Sequence, residues 1–167
     1  MPKPEVSASV GYRNVPEEIR TLDTLARRHY VDVFTAAVTP PSGISLQHWF
    51  HAVLSDGPAW VRVCVPVAQR AVLRLRLEPV ASPNHPIGWT TAGRGDNWIR
   101  LEAASWLITA HIVCNVHDGK TSMATFVRYE RWPAALLWPL VSISHRKVAR
   151  TLLRCAVRRS ASEPVSV

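Results

Sequence analysis

The stretch from Trp106 to His117 constrains the fold of this chain most. Its even positions, Trp106, Ile108, Ala110, Ile112, Cys114 and Val116, are all apolar, whereas Thr109, His111, Asn115 and His117 sit on odd ones. Strand side chains alternate between two faces, so this pattern predicts a long strand with its even face toward a core and His111 and Asn115 toward solvent. Asp118-Gly119 follows, the dipeptide that a two-residue hairpin favours, and Thr121–Arg131 supplies the partner strand. Upstream, residues 87–93 and 98–103 read as two more strands joined through Gly95-Asp96-Asn97. Residues 87–131 are therefore expected to form an antiparallel meander.

The meander is flanked by helical periodicity. Tyr30–Val38 is rich in β-branched and aromatic residues and reads as strand one, stopped by Pro40-Pro41. Ser45 then caps a helix carrying Leu46, Trp49, Phe50, Val53 and Leu54 on one face, ended by Gly57-Pro58. A second helical stretch covers 59–75 and is interrupted by Pro66. Residues 78–86 hold three prolines and are expected to be a loop. From Trp132-Pro133 a long helix reaches about Arg159, with Leu137, Val141, Val148, Leu152 and Cys155 or Ala156 as its apolar stripe. Arg146, Arg150, Arg154 and Arg158 run along another face, with Lys147 beside them. Residues 1–28 are expected to be a loose lead-in with a short helix opened by Pro16-Glu17-Glu18, 29–159 one domain, and 160–167 a disordered tail. The order is strand, two short helices, curved antiparallel sheet, long C-terminal helix. The helix is the element able to cover the apolar face of the sheet, which makes the expected class α+β and the architecture a helix-grip.

Charge, cysteines and hydropathy narrow the function classes. The net charge of +8 raises nucleic acid or an anionic membrane as partners, but it is concentrated. Residues 146–159 hold six Lys and Arg and no acid. No aromatics are interleaved with them, so base stacking is poorly supported, while Trp132 and Trp138 on the apolar half of the helix suit a lipid surface as well. Cys64, Cys114 and Cys155 are odd in number and widely spaced, which predicts buried free thiols in a reducing cytoplasm. The start lacks an apolar leader, and the longest apolar run near the C-terminus, 133–144, is far short of the roughly 20 residues of a spanning helix. A cytoplasmic protein without a transmembrane segment is expected.

No catalytic constellation is legible. Nucleophile-elbow and phosphate-loop motifs are absent, and Gly93-Arg94-Gly95 reads as a hairpin loop. His48 and His51 share a helical face but lack a third ligand, so no metal is expected, and no cofactor. Asp32, Glu102 and Glu130 fall on strands that sequence alone cannot bring together, and His145 lies beside the basic stripe.

The run Thr125–Arg131, the helix segment Ala135–Val141 and the stretch Ser144–Arg154 resemble an actinobacterial domain family of unknown function within the START-like superfamily. Ser105–Val113, and Trp49 with Gly57-Pro58-Ala59-Trp60, fit the same pattern, so the resemblance covers roughly residues 28–158. That superfamily includes polyketide cyclases, pollen-allergen-type carriers and lipid-transfer domains. The resemblance implies a cavity between sheet and final helix that takes a small hydrophobic or lipid-like ligand. Seven tryptophans in 167 residues are enough to line one. Trp49, Ile108, Ala110, Ile112, Val127, Tyr129 and Trp138 are the expected lining, with Tyr129 its one polar group. A cyclase or dehydratase of the same superfamily is the alternative. A third reading is an anionic membrane or nucleic-acid surface bound through Arg146, Lys147, Arg150, Arg154 and Arg158.

Overall fold

A computed structural model of the chain describes residues 5–55, 57–79 and 86–162. Strand β1 (Val6–Val10) leads through the short helix α1 (Glu17–Arg20) to β2 (Tyr30–Ala36). Helices α2 (Leu46–Ser55) and α3 (Ala59–Val67) come next. The strands β3 (Thr90–Arg94), β4 (Trp98–Ala104), β5 (Ile108–His117) and β6 (Lys120–Tyr129) follow, and helix α4 (Pro133–Ser162) ends the described chain. The class is α+β. All six strands form one antiparallel sheet in the order β1-β2-β6-β5-β4-β3, and α4 packs across β2 with α2 at its side.

Local chemistry explains the joints that matter. Asp118 (φ 48°) and Gly119 (φ 71°) are both left-handed, as the two central residues of a type I′ turn must be, and they close the β5–β6 hairpin. Gly57 stands where the α2–α3 corner meets α4: a Cβ there would lie 2.9 Å from Leu152 Cδ2. The main core fills the space between the sheet and α2 and α4, centred on Phe34, Phe50, Leu101, Ile108, Val127 and Leu153.

Several expectations are corrected. The lead-in is not loose, because Val6–Val10 pairs with Asp32–Ala36 as an edge strand. Strand β5 starts at Ile108, and Trp106 is exposed in the turn before it. Strand β3 starts at Thr90, while Ile87 lies in a 3₁₀ turn over Pro86–Gly88. Most of the proline-bearing loop, 80–85, lies outside the described residues, as do 163–167 of the expected tail, whose first residues continue α4.

His111 and Asn115 are buried rather than turned to solvent. Both lie on the face opposite α4, as alternation requires, but residues 12–28 cover that face. Val15, Ile19 and Leu25 pack there on Val31, Val113 and Phe126 to make a second core. His111 Nδ1 lies 2.8 Å from Asp23 Oδ1, and Arg28 Nε donates to Asp23 Oδ2 at 2.5 Å. Arg100 donates from Nη1 to the Leu22 carbonyl and from Nε to Glu102, fastening the same segment to β4. A strand buried on both faces loses strict alternation, and Val113, an apolar residue on the odd face, is the local sign of it.

The stripe of α4 is also shifted. Ala134, Trp138, Ala149, Leu152, Leu153 and Ala156 are buried, whereas Leu137, Val141 and Val148 are half-buried along one border. Arg150 is half-buried too, its guanidinium 5.7 Å from the centre of the Phe34 ring.

Candidate functional site: a cavity beneath helix α3

Helix α3 buries a single side chain, Val61, and leaves Trp60, Val63 and Val67 exposed. Pro66 lies within it and a π-turn over Ala68–Val72 continues it, so the segment cannot settle as one straight helix against the sheet. The chain continues without regular structure, with the Arg76 N–H donating to the Ala104 carbonyl and that of Glu78 to the Gly88 carbonyl. Between this roof, β5 and α4 lies a cavity of about 490 Å³.

Its floor is Ile108, Ala110 and Ile112 of β5 with Met123 and Thr125 of β6. One side comes from α4, through Trp138, Val141, Val148 and Leu152, and the roof includes Trp60, Leu73 and Leu75. Two non-glycine residues of the roof have left-handed backbones, Arg74 (φ 50°) and Ile87 (φ 52°), and for β-branched Ile87 that conformation is strained.

The residues proposed from sequence divide as follows. Ile108, Ala110, Ile112 and Trp138 line the cavity. Trp49 does not: it packs edge-on to Phe50 and borders a separate cleft of about 150 Å³ between α2 and α4. Val127 is fully buried in the main core, and Tyr129, near the end of β6, stacks on His29 with ring centres 4.8 Å apart. Arg146, Arg150 and Arg154 are half-buried, and of that set only Lys147 and Arg158 are exposed, so the basic positions do not form one solvated face. Cys64 is exposed on α3 and lines the cavity, contrary to the expected buried thiol; Cys114 is fully buried, which pushes its thiol pKa up. Among the described residues no three His, Cys, Asp or Glu side chains gather closely enough to hold a metal.

Where α4 lies over β2 and β6, the apolar lining is interrupted. Thr125 Oγ1 is 3.1 Å from His145 Nε2, and both residues line the cavity. The same Nε2 lies 3.3 Å from Oδ2 of Asp32, whose side chain is fully buried behind the wall. Tyr30 donates its hydroxyl to that oxygen at 2.7 Å. Burial first, then the neighbouring Asp32 charge, pushes the Tyr30 pKa up, so its proton stays in place as a donor. Trp138 closes the corner, with ring centres 5.3 Å from Tyr30 and 6.0 Å from His145. Asp32 Oδ1 and Trp138 Nε1 are buried and have no hydrogen-bond partner among the described residues. The wall is otherwise mostly apolar, with Ser55, Arg62, Gln69, Arg70 and Ser144 as further polar members of the lining, so such a corner is one of a few polar contacts that can orient a bound molecule.

No family model, curated protein or solved structure matches this chain. The helix-grip description therefore rests on element order and sheet topology.

Sequence reasoning did not assemble this corner. Along the sequence Asp32 is one of three unconnected carboxylates and His145 a neighbour of the basic stripe. One signal was available: Asp32 is the single acid in an apolar strand, flanked by Val31 and Val33, a place where a carboxylate must find partners.

Proposed function

We propose that this chain holds a small, largely apolar molecule in the cavity between its sheet and helices α3 and α4. The observation that carries this reading is the cavity of about 490 Å³ roofed by a helix that buries one side chain. That volume falls in the range of roughly 300–1,000 Å³ typical of small-molecule sites. Membership of the START-like superfamily, proposed from the resemblance over residues 28–158, would fit the same arrangement of strand, two helices, meander and final helix.

The test uses a neutral environment-sensitive dye, N-phenyl-1-naphthylamine. The protein should bind it saturably at one site. Ala110→Trp, on the cavity floor, should block binding while lowering the melting temperature by only a few degrees. A lack of saturable binding by the folded protein, or a severe loss of stability in Ala110→Trp, would mean that the space is not a ligand site.

A second reading is favoured by how charge is distributed. Residues 59–77 hold Arg62, Arg70, Arg74 and Arg76, residues 133–162 hold six more Lys and Arg, and neither segment contains an acid. Exposed Trp60, Val63 and Val67 on α3, and Leu136 and Leu140 on α4, accompany these cations. Apolar side chains beside cations in acid-free segments suit an anionic lipid surface. Co-sedimentation with phosphatidylserine vesicles that fades as salt is raised would support it; equal binding to neutral vesicles would reject it.

A further inference from the structure

The charges that line the cavity are of one sign and lie on its roof. Arg62 and Arg70 belong to the lining, with Gln69 beside Arg70, and no Asp or Glu is among the described residues that line it. Both arginines are exposed while they line the cavity, as are Trp60 and Cys64 of α3 and Ser144 of α4. Side chains that meet the cavity and solvent together mark its mouth, which therefore opens between α3 and α4. No ion pair among the described residues involves Arg62 or Arg70. The inner wall differs. Ile108, Ala110, Ile112 and Met123 are buried there, and the fully buried side chain of Asp32 stands behind Thr125 and His145.

We propose that the ligand is a single-chain amphiphile with an anionic head, its chain lying along β5 inside the cavity and its head held at the mouth by Arg62 and Arg70. A guanidinium presents a fork of N–H donors that matches a carboxylate or a phosphate, and the Gln69 amide adds a further donor. Held at the mouth, the head keeps its contact with water and avoids the cost of burying a charge. Carried to the inner wall, it would approach the Asp32 carboxylate instead, so charge fixes the direction in which the chain enters. An ammonium head would meet two like charges at the mouth. Carboxylate and phosphate heads share this chemistry, and the test separates them. The inference rests on the cavity reading above.

Displacement of bound N-phenyl-1-naphthylamine by decanoate, decyl phosphate, 1-decanol and decylammonium, each below its micelle-forming concentration, tests it. The four bury the same chain and leave the head hydrated, so differences between them report on the head. The better anion should displace the dye at roughly three- to tenfold lower concentration than decanol, the factor expected of one or two exposed charge pairs. Decylammonium should be weaker still, and whichever anion leads identifies the head. The anion's advantage should shrink as salt is raised. In the double variant Arg62→Gln/Arg70→Gln it should fall about threefold or more, while affinity for the neutral dye stays the same. Lys120→Gln removes an exposed charge outside the lining and should leave the advantage intact. Decanol or decylammonium as potent as both anions, or an advantage unchanged in the double variant, would overturn the proposal while leaving the cavity reading intact. Absence of dye binding to the unmodified protein would overturn both.

Discussion

Asp23 is buried on the outer face of the sheet and lies within hydrogen-bond reach of His111, Arg28 and the Leu25 N–H. Burial alone would raise its pKa, but these three contacts and the Arg28 charge outweigh it and hold the carboxyl below its ordinary value of about 3.8. A depressed carboxylate adds stability above that ordinary value and loses it as pH falls through the folded one. Denaturant titrations across the acid range should therefore show a falling limb below pH about 4 that flattens in Asp23→Asn. The same substitution should cost about 1–3 kcal/mol near neutral pH, since it weakens the acceptor for His111 and Arg28. Arg150 offers a second check. Because it lies over Phe34, Arg150→Glu should cost about 1 kcal/mol in a thermal melt, more than a freely solvated arginine would.

At the scale of elements, α4 and the N-terminal segment cover opposite faces of one sheet. On α4, Leu153 is fully buried in the main core and Val148 borders the cavity. Leu153→Ala should lose about 2–5 kcal/mol by leaving a void, whereas Val148→Ala, which only widens an existing space, should lose about 1 kcal/mol or less. Comparable losses for the two in denaturant melts would contradict the packing described here. On the other face, Phe126→Ala should cost about 3–5 kcal/mol, because Phe126 is fully buried beneath residues 12–28. That sensitivity is the signature of an N-terminal segment that is part of the core.

For the molecule as a whole, charge is concentrated in two segments of the chain. The acid-free segments 59–77 and 133–162 hold ten of the twenty Lys and Arg residues. At a net charge of +8 like charges repel one another in the folded state, and salt screens exposed charges over about 8–10 Å near physiological strength. The melting temperature should therefore rise between about 10 and 150 mM salt; a fall would show that the surface ion pairs matter more than the repulsion. Among the described residues no helix is long and apolar enough to cross a membrane.

The sequence by itself determined the order of the elements from β2 onward, the β5–β6 hairpin and the final helix, because period-two and helical patterns and the Asp118-Gly119 turn are local properties of the chain. It also placed Ile108, Ala110 and Ile112 on the sheet face toward α4. The tertiary structure decided which surfaces are covered. His111 and Asn115 are on the face alternation assigns them, but whether that face meets water depends on residues 12–28 folding back over it, a contact between Asp23 and His111 that spans 88 positions. The polar corner was hidden for the same reason. Asp32, Thr125 and His145 carry no common motif, and only the β2–β6 register, Asp32 opposite Thr125, together with α4 lying above them, brings them together. The cavity itself depends on α3 standing off the sheet, a balance of packing that no local pattern encodes.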